Sequence, residues 1–418
     1  MWLMMAVEQP AMTAVIARLP DAELNLAAFG VMFSIALVIE SPVLQMLSAA
    51  TARSKTRGDY RQLLAFMTWM SLILTAIHVL VAITPLYGFI LETLLAVPPE
   101  IAELSRVPFV IMAPFAAAVG YRRLWQGVLI RYGRTVAVPI TMISRLVIAG
   151  VVLAVGYSTE WLSGAALAAV ALSLGVVFAA VAAWILFRKL VYAEMPVAPQ
   201  RASVTDLKDM LRFYIPLSMT SIVFLLSRPL LTFGMARAAF PVKSLAVWPV
   251  INAFLFLFNS FALSFQEAAI AILERGEENR ARLSRFSGML AALLSAGVLI
   301  CALSPVSELW FRGVSGLSES LLPFTRTPLI ILAVVPAMVT AKSWLRGQYV
   351  SAKRTGVLAN AVVIYTVVLF VTVFLGPRVV DVAGAILAAS CLSFAQLIEN
   401  SFLRLRRPAR QAHEMRRR

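Results

Sequence analysis

Stretches of about 20 apolar residues, parted by short polar turns, run from one end of the chain to the other. That spacing is the mark of membrane-crossing helices, since a helix needs roughly 20 apolar residues to cover the hydrocarbon core. The pattern predicts twelve spans, at 2–18, 24–51, 63–89, 106–130, 135–156, 161–187, 211–236, 245–273, 284–306, 324–350, 355–375 and 381–403. The expected fold class is an all-α polytopic membrane protein. Prolines fall inside or near the ends of many spans, among them Pro10, Pro42, Pro114, Pro139, Pro229, Pro249 and Pro336. Membrane helices tolerate such breaks where neighbours or water satisfy the freed backbone groups. Bent helices of this kind often line a cavity.

Composition agrees. The 418 residues are 61% hydrophobic and 14% charged, against about 45–50% and about 25% for a soluble domain. The first residues lack a basic leader and a small-residue cleavage site, so no cleavable signal peptide is expected.

The net charge of +16 does not call for nucleic acid. Of the 37 Lys and Arg, 24 fall in the loops after even-numbered spans or in the C-terminal tail, and seven in the other loops. Basic loops stay on the cytoplasmic side, so both termini are expected in the cytoplasm, with the chain in a bacterial inner membrane and membrane lipids around it.

The two halves of the chain repeat. A shift of 219 residues brings Pro10 onto Pro229, Thr13 onto Thr232, Ala17-Arg18 onto Ala236-Arg237, Leu26-Ala27 onto Leu245-Ala246, and Ala49-Ala50 onto Ala268-Ala269. A shift of 220 brings Pro108 onto Pro328, Gly127 onto Gly347 and Arg134-Thr135 onto Arg354-Thr355. The offset spans six helices, an even number, so the repeats are parallel. The expected organisation is a six-helix bundle over 1–190 with a short first helix, a cytoplasmic linker over 191–210, a second six-helix bundle over 211–405, and a basic tail over 406–418. The first helix is expected to be short because Pro216 has its repeat position before Met1.

Two stretches carry a family likeness. QGVLIRYGRT, ending the fourth span, and RGQYVSAKRT, ending the tenth, share a glycine followed by a basic turn and threonine. They resemble a signature of the multidrug/oligosaccharidyl-lipid/polysaccharide (MOP) flippase superfamily, which includes the MATE exporters, and LNLAAFGVMFS is similar to the start of the second MATE helix. VEQPAMTAVIARL, LRFYIPL with LLSRPLLT, and VPAMVTAKSWLRG are most similar to the progressive ankylosis (Ank) transporter family. The resemblance implies a MATE-like fold of two bundles and export of organic or phosphate-bearing anions through a cleft between them. One departure stands out: the first helix lacks the aspartate of several cation-coupled MATE exporters, and the resemblance assigns no coupling role to Glu8.

Charged residues within spans are expensive, about 2.5–3.5 kcal/mol each, and so usually face the protein interior or water. Arg228, before Pro229, and Glu8, beside its repeat mate Gln9, are expected to face the central cavity together; the alternative is a buried ion pair holding the bundles in register. Lys342 and Arg346 share a helix face, and Lys342 aligns with Arg122. Together they are expected to form a basic rim at the inward mouth, with snorkelling to lipid headgroups as the plainer reading, above all for Arg123. Glu40 and Glu267 could titrate and couple transport to H+; pairing with Arg145 or Lys342 is the structural alternative. Asn252 and Asn259 are candidates for the same cavity or for interhelical hydrogen bonds. The substrate-binding candidates are thus Arg228, Lys342, Arg346, Arg122, Asn252 and Asn259. Glu8, Glu40, Glu267 and Arg145 are candidates for coupling or ion pairing, with H+ or Na+ as the coupling ion.

Cys301 and Cys391 lie in apolar runs and His78 stands alone in another. No metal site, cofactor or catalytic constellation is expected, and a membrane enzyme is the least favoured class. The predicted function is a secondary exporter of small anions, acting as a monomer. A flippase for lipid-linked sugars and cation-coupled multidrug efflux are the alternatives. The latter calls for a more acidic cavity.

Overall fold

A computed structural model describes residues 2–197, 207–273, 279–352 and 354–406. Parts of the expected linker (198–206) and tail (407–418), and Lys353, lie outside the described residues.

The chain is a series of helices. α1 is Trp2–Ile16, and α2 (Ala22–Glu40) continues through a 3-10 stretch, Ser41–Gln45, into α3 (Met46–Arg53). α4 is Arg57–Ile83 and α5 (Leu86–Gly88) runs into a π-turn, Phe89–Leu94. α6 (Pro99–Ile111) and α7 (Phe115–Arg131) form one bent rod; α8 (Ala137–Thr159) and α9 (Gly164–Leu190) complete the first half. The second half begins with α10 (Leu207–Leu225) and α11 (Ser227–Arg237), then α12 (Pro241–Leu273) and α13 (Arg280–Leu303). α14 (Val306–Glu308) runs into a second π-turn, Leu309–Val314. It is followed by α15 (Pro323–Leu332), α16 (Val335–Ser351), α17 (Thr355–Val379) and α18 (Gly384–Leu405).

Among the described residues, ten of the helical rods are long and apolar enough to cross a membrane, and α6 with α7, bent by 42°, makes an eleventh. The bend falls at Pro114, whose ring and missing N–H interrupt the ladder. The twelfth expected span, α1, has 15 residues. At about 1.5 Å per residue it covers about 22 Å, short of the roughly 30 Å hydrocarbon core. Several starts come earlier than the hydropathy pattern implied. α4 opens at Arg57 because Thr56 and Asp59 form a reciprocal capping box, which satisfies end N–H groups with polar residues.

The repeat extends to backbone geometry. The two π-turns are 220 residues apart. Asp21 and Phe240, 219 apart, are both left-handed (φ 51° and 53°), as are Ala96 and Gly316, 220 apart (φ 56° and 73°). Such backbone is uncommon outside glycine, so its recurrence at matching points is not a matter of apolar similarity. Gly30 has Pro249 as its repeat mate, and a Cβ on Gly30 would lie 3.2 Å from the Pro249 ring. A residue touching its own mate lies on the pseudo-twofold axis, which therefore passes between α2 and α12. Around that central pair each half reaches across: α1 packs on α12, and α11 packs on α2.

One break is not repeated. Pro42 sits in the 3-10 stretch after α2, whereas its mate, Phe261, lies inside the unbroken α12. The carbonyl of Pro42 accepts from the Tyr214 hydroxyl of α10 at 2.7 Å, joining the halves at the kink. The glycine pair also differs. A Cβ at Gly127 would meet Ala50 Cβ at 2.6 Å, so α7 and α3 require glycine there. At Gly347 the equivalent contact, with Ala269 Cβ, is an ordinary 3.5 Å. Close packing thus demands glycine at Gly127 and not at Gly347.

Candidate functional site

The first half buries a charge cluster at the meeting of α1, α2, α7 and α8. Arg145 Nε donates to Glu8 Oε1 at 2.8 Å, and a terminal nitrogen of Arg145 lies 2.7 Å from Glu8 Oε2. Both side chains are buried. This fork is bidentate, the strongest form of Arg–carboxylate pairing. Glu8 is therefore paired within its own half, with Arg145, and not with Arg228.

Arg122, on α7, is 1% exposed, so it is no part of a rim. One of its terminal nitrogens contacts Met142 Sδ at 3.0 Å, and its Nε has no partner. Arg123 donates to the Leu44 carbonyl at 3.1 Å, spending its charge on the backbone freed near the 3-10 stretch and not on lipid headgroups. Glu40 ends α2 just before Pro42. It is buried, its Oε2 has no hydrogen-bond partner, and Arg123, Arg122 and Arg145 are the cations around it.

The second half holds a different set. Lys342 Nζ donates to Glu399 Oε2 at 3.0 Å, again between buried side chains. The same nitrogen lies 5.8 Å from the centroids of Phe224 and Tyr365. Tyr365 lies beside Ser227, whose hydroxyl donates to the Phe224 carbonyl at 2.7 Å. Those two residues are the repeat mates of Arg145 and Glu8, so the ion pair of one half becomes a contact between hydroxyls in the other. Next to Ser227, Arg228 stands where α10 breaks into α11, facing Tyr365. Pro229 has no N–H to close that turn.

Arg228 is exposed. Among the described residues it has no ion-pair or hydrogen-bond partner. Arg346, one turn beyond Lys342, is half-buried with its Nε unpartnered.

The remaining candidates divide. Asn252 donates to the Trp248 carbonyl within its own helix at 2.9 Å. Asn259 keeps a buried Oδ1 without a partner. Glu267 is exposed and accepts from Trp2 Nε1 at 2.8 Å; it pairs with neither Arg145 nor Lys342, both of which are already held. His78 stacks on Phe109 at 4.0 Å and bonds its carbonyl, a packing arrangement. The acid missed from the sequence is Glu399. Its signal was present, a carboxylate within the last apolar run, but it has no charged repeat mate to draw attention, since Ala179 stands there.

In the two clusters, six cations (Arg122, Arg123, Arg145, Arg228, Lys342 and Arg346) face three carboxylates (Glu8, Glu40 and Glu399). An interior with excess positive charge is costly in low dielectric unless an anion compensates it. Arg is also the residue whose planar fork fits carboxylate and phosphate.

The sequence profile of the progressive ankylosis protein (ANKH) family matches residues 4–240, more than half of the chain. No curated protein matches the chain by sequence. Among solved structures of similar fold is an inward-facing multidrug-resistance MATE transporter of the MOP superfamily (TM-score 0.74, 15% identity, 96% of this chain and 94% of that one). The lipid II flippase MurJ in an inward closed conformation is another (TM-score 0.71, 14% identity, 96% and 85%). An outward-facing MATE transporter of the MOP superfamily matches at a TM-score of 0.59 (18% identity, 97% and 93%). At these identities the likeness is one of fold.

Proposed function

The chain belongs to the progressive ankylosis protein (ANKH) family, and on that premise we propose that it is a secondary active transporter of organic or phosphate-bearing anions. Movement is by alternating access between the two halves, about the axis through α2 and α12. Arg228 is the primary anion contact, with Arg346 assisting. Lys342 and Arg145 are held by Glu399 and Glu8, and they shape the electrostatic field more than they bind.

The observation that carries this reading is the state of Arg228: an arginine within the candidate span Met210–Arg237, exposed and, among the described residues, without a carboxylate partner. An ionisable residue within a span is a functional candidate by default. The six-to-three excess of cations also runs against the acidic cavity expected of cation-coupled multidrug efflux. We place the basic loops, and hence both termini, on the cytoplasmic side, with 1–190 and 211–405 as the moving units joined by the linker. The better match to an inward-facing relative than to an outward-facing one supports a resting state open to the cytoplasm. Glu40, buried with an unpartnered oxygen among three arginines, is the carboxylate best placed to couple transport to H+.

Purified protein in proteoliposomes tests the reading. Wild type should move citrate-like or nucleotide-like anions down a gradient. Arg228→Ala should lose that flux by at least about tenfold, in line with the loss of one charge-assisted contact, while eluting as a monodisperse protein. Equal flux in the two proteins overturns the assignment of Arg228, and no anion flux in either overturns the substrate class.

A further inference from the structure

The second half contains a cavity of about 590 Å³ whose lining includes neither Arg228 nor Arg346. It lies between α13, α16 and α18, toward the end of the molecule that bears the basic loops. Its size falls in the range of small-molecule sites, about 300–1,000 Å³. Ala291, Val334, Ala337 and Met338 form an apolar inner end. Ser284, Ser401 and Arg404 lie toward the basic end. Leu397 both lines the cavity and is exposed. The cavity therefore opens sideways, onto a surface where Met289 and Leu293 of α13 are exposed apolar residues.

The repeat explains why the space exists. In the first half the positions of Ser284, Ser287, Ala341 and Arg404 are taken by Leu64, Met67, Tyr121 and Trp184. Met67 fills its site so fully that a Cβ on Gly120 would lie 2.0 Å from its Cε. Tyr121 closes the gap by donating to Thr68 at 3.0 Å and stacking on Trp125 at 5.5 Å. With serine and alanine at these places in the second half, the same three-helix junction stays open.

The open junction is also not a plain apolar void. Two lining residues, Trp344 and Asn400, are 6% and 5% exposed. Their unpartnered polar atoms, Trp344 Nε1 and Asn400 Oδ1, are shielded from the open space, so the polar side of the groove is its serines and Arg404. Arg404, one turn beyond Asn400, adds a cation at the mouth.

We propose that this groove holds one anionic phospholipid of the leaflet on the basic side. An acyl chain lies along Ala291, Val334, Ala337 and Met338. The headgroup lies toward Ser284 and Ser401, and the phosphate rests on Arg404. The lateral opening admits the chain from the bilayer, and the charge at the mouth selects an anion. This site includes neither Arg228 nor Arg346 and does not depend on the substrate proposed for them.

Native mass spectrometry of the full chain released from bilayers of equal parts phosphatidylglycerol and phosphatidylcholine tests it. One phosphatidylglycerol should stay bound, in preference to phosphatidylcholine. Ser287→Met and Ala341→Tyr, which place first-half residues in the groove, should reduce that adduct by about tenfold or more. Arg404→Ala should reduce phosphatidylglycerol retention about tenfold and erase the preference, through loss of one charge-assisted contact. Equal retention of both lipids by wild type, or an unchanged phosphatidylglycerol adduct in the variants, overturns the proposal. A shift from dimer to monomer in the filled variants, with lipid retention unchanged, would assign the groove to a second copy of the chain and also overturn it. If the filled variants fail to fold, Arg404→Ala decides, since it changes a mouth contact without filling the junction.

Discussion

Arg145 holds both carboxylate oxygens of Glu8, at 2.8 Å through Nε and at 2.7 Å through a terminal nitrogen. The pair ties the short α1 to α8. Its repeat counterpart, Ser227 with Tyr365, ties α11 to α17 without charge. The internal symmetry therefore preserves the contact and changes its chemistry, and with it the charge left for a substrate in each half.

Breaking the Glu8–Arg145 pair one residue at a time should be severe. Arg145→Leu or Glu8→Leu leaves an uncompensated buried charge, at about 3–5 kcal/mol. Replacing both by leucine should restore most of the loss. Thermal unfolding in detergent measures it; a double variant no more stable than the worse single variant contradicts the pairing.

Lys342 and Glu399 form the matching test in the second half. Lys342→Met should destabilise by about 3 kcal/mol or more because Glu399 loses its partner in a buried site. Glu399→Gln should be milder, since the amide keeps a hydrogen-bonding oxygen for Lys342. Thermal midpoints of the two variants check the order, which would be reversed if Lys342 were solvated.

The two repeat-related glycines should respond differently. Gly127→Ala drives a methyl into Ala50 and the Leu47 carbonyl, each 2.6 Å away, and overpacking of this kind costs about 1–3 kcal/mol. Gly347→Ala meets its nearest atom at 3.5 Å. It should be neutral or stabilising by up to about 1 kcal/mol, since alanine is the better helix former. Similar thermal shifts in both variants would count against the wider packing of the second half.

Glu40→Gln should separate coupling from binding. If Glu40 carries the proton, the variant loses acceleration by an imposed pH gradient but still exchanges anion for anion across the bilayer. The groups facing Glu40 are Arg122, Arg123 and Arg145, none of which exchanges protons readily near neutral pH. A variant that still responds to the gradient as wild type does removes Glu40 from the coupling path.

Much of the architecture was legible in the chain. Twenty-residue apolar runs, the loop charge bias and the ordered proline and glycine matches yield a duplicated helical membrane protein, because lipid forces every backbone group into helix and every span to a similar length. Breaks at Pro42, Pro114 and Pro229 were visible for the same reason. Glu399 was not singled out, because a lone carboxylate in an apolar run has no periodic signature.

What one dimension could not supply was pairing. Glu8, Arg228, Lys342 and Glu267 are all charges in or near apolar runs, and sequence ranks them alike. Only the packing of α1 on α8 and of α16 on α18 decides that Glu8 and Lys342 are neutralised while Arg228 is not. The open junction between α13, α16 and α18 belongs to the same class. Its serines and alanines were in plain view, but a cavity is a property of three helices at once, fixed by which side chains fail to meet. The chain by itself determined that the protein is built twice within a membrane. The tertiary structure decided where the two copies differ, because burial and partnership depend on neighbours far apart in sequence.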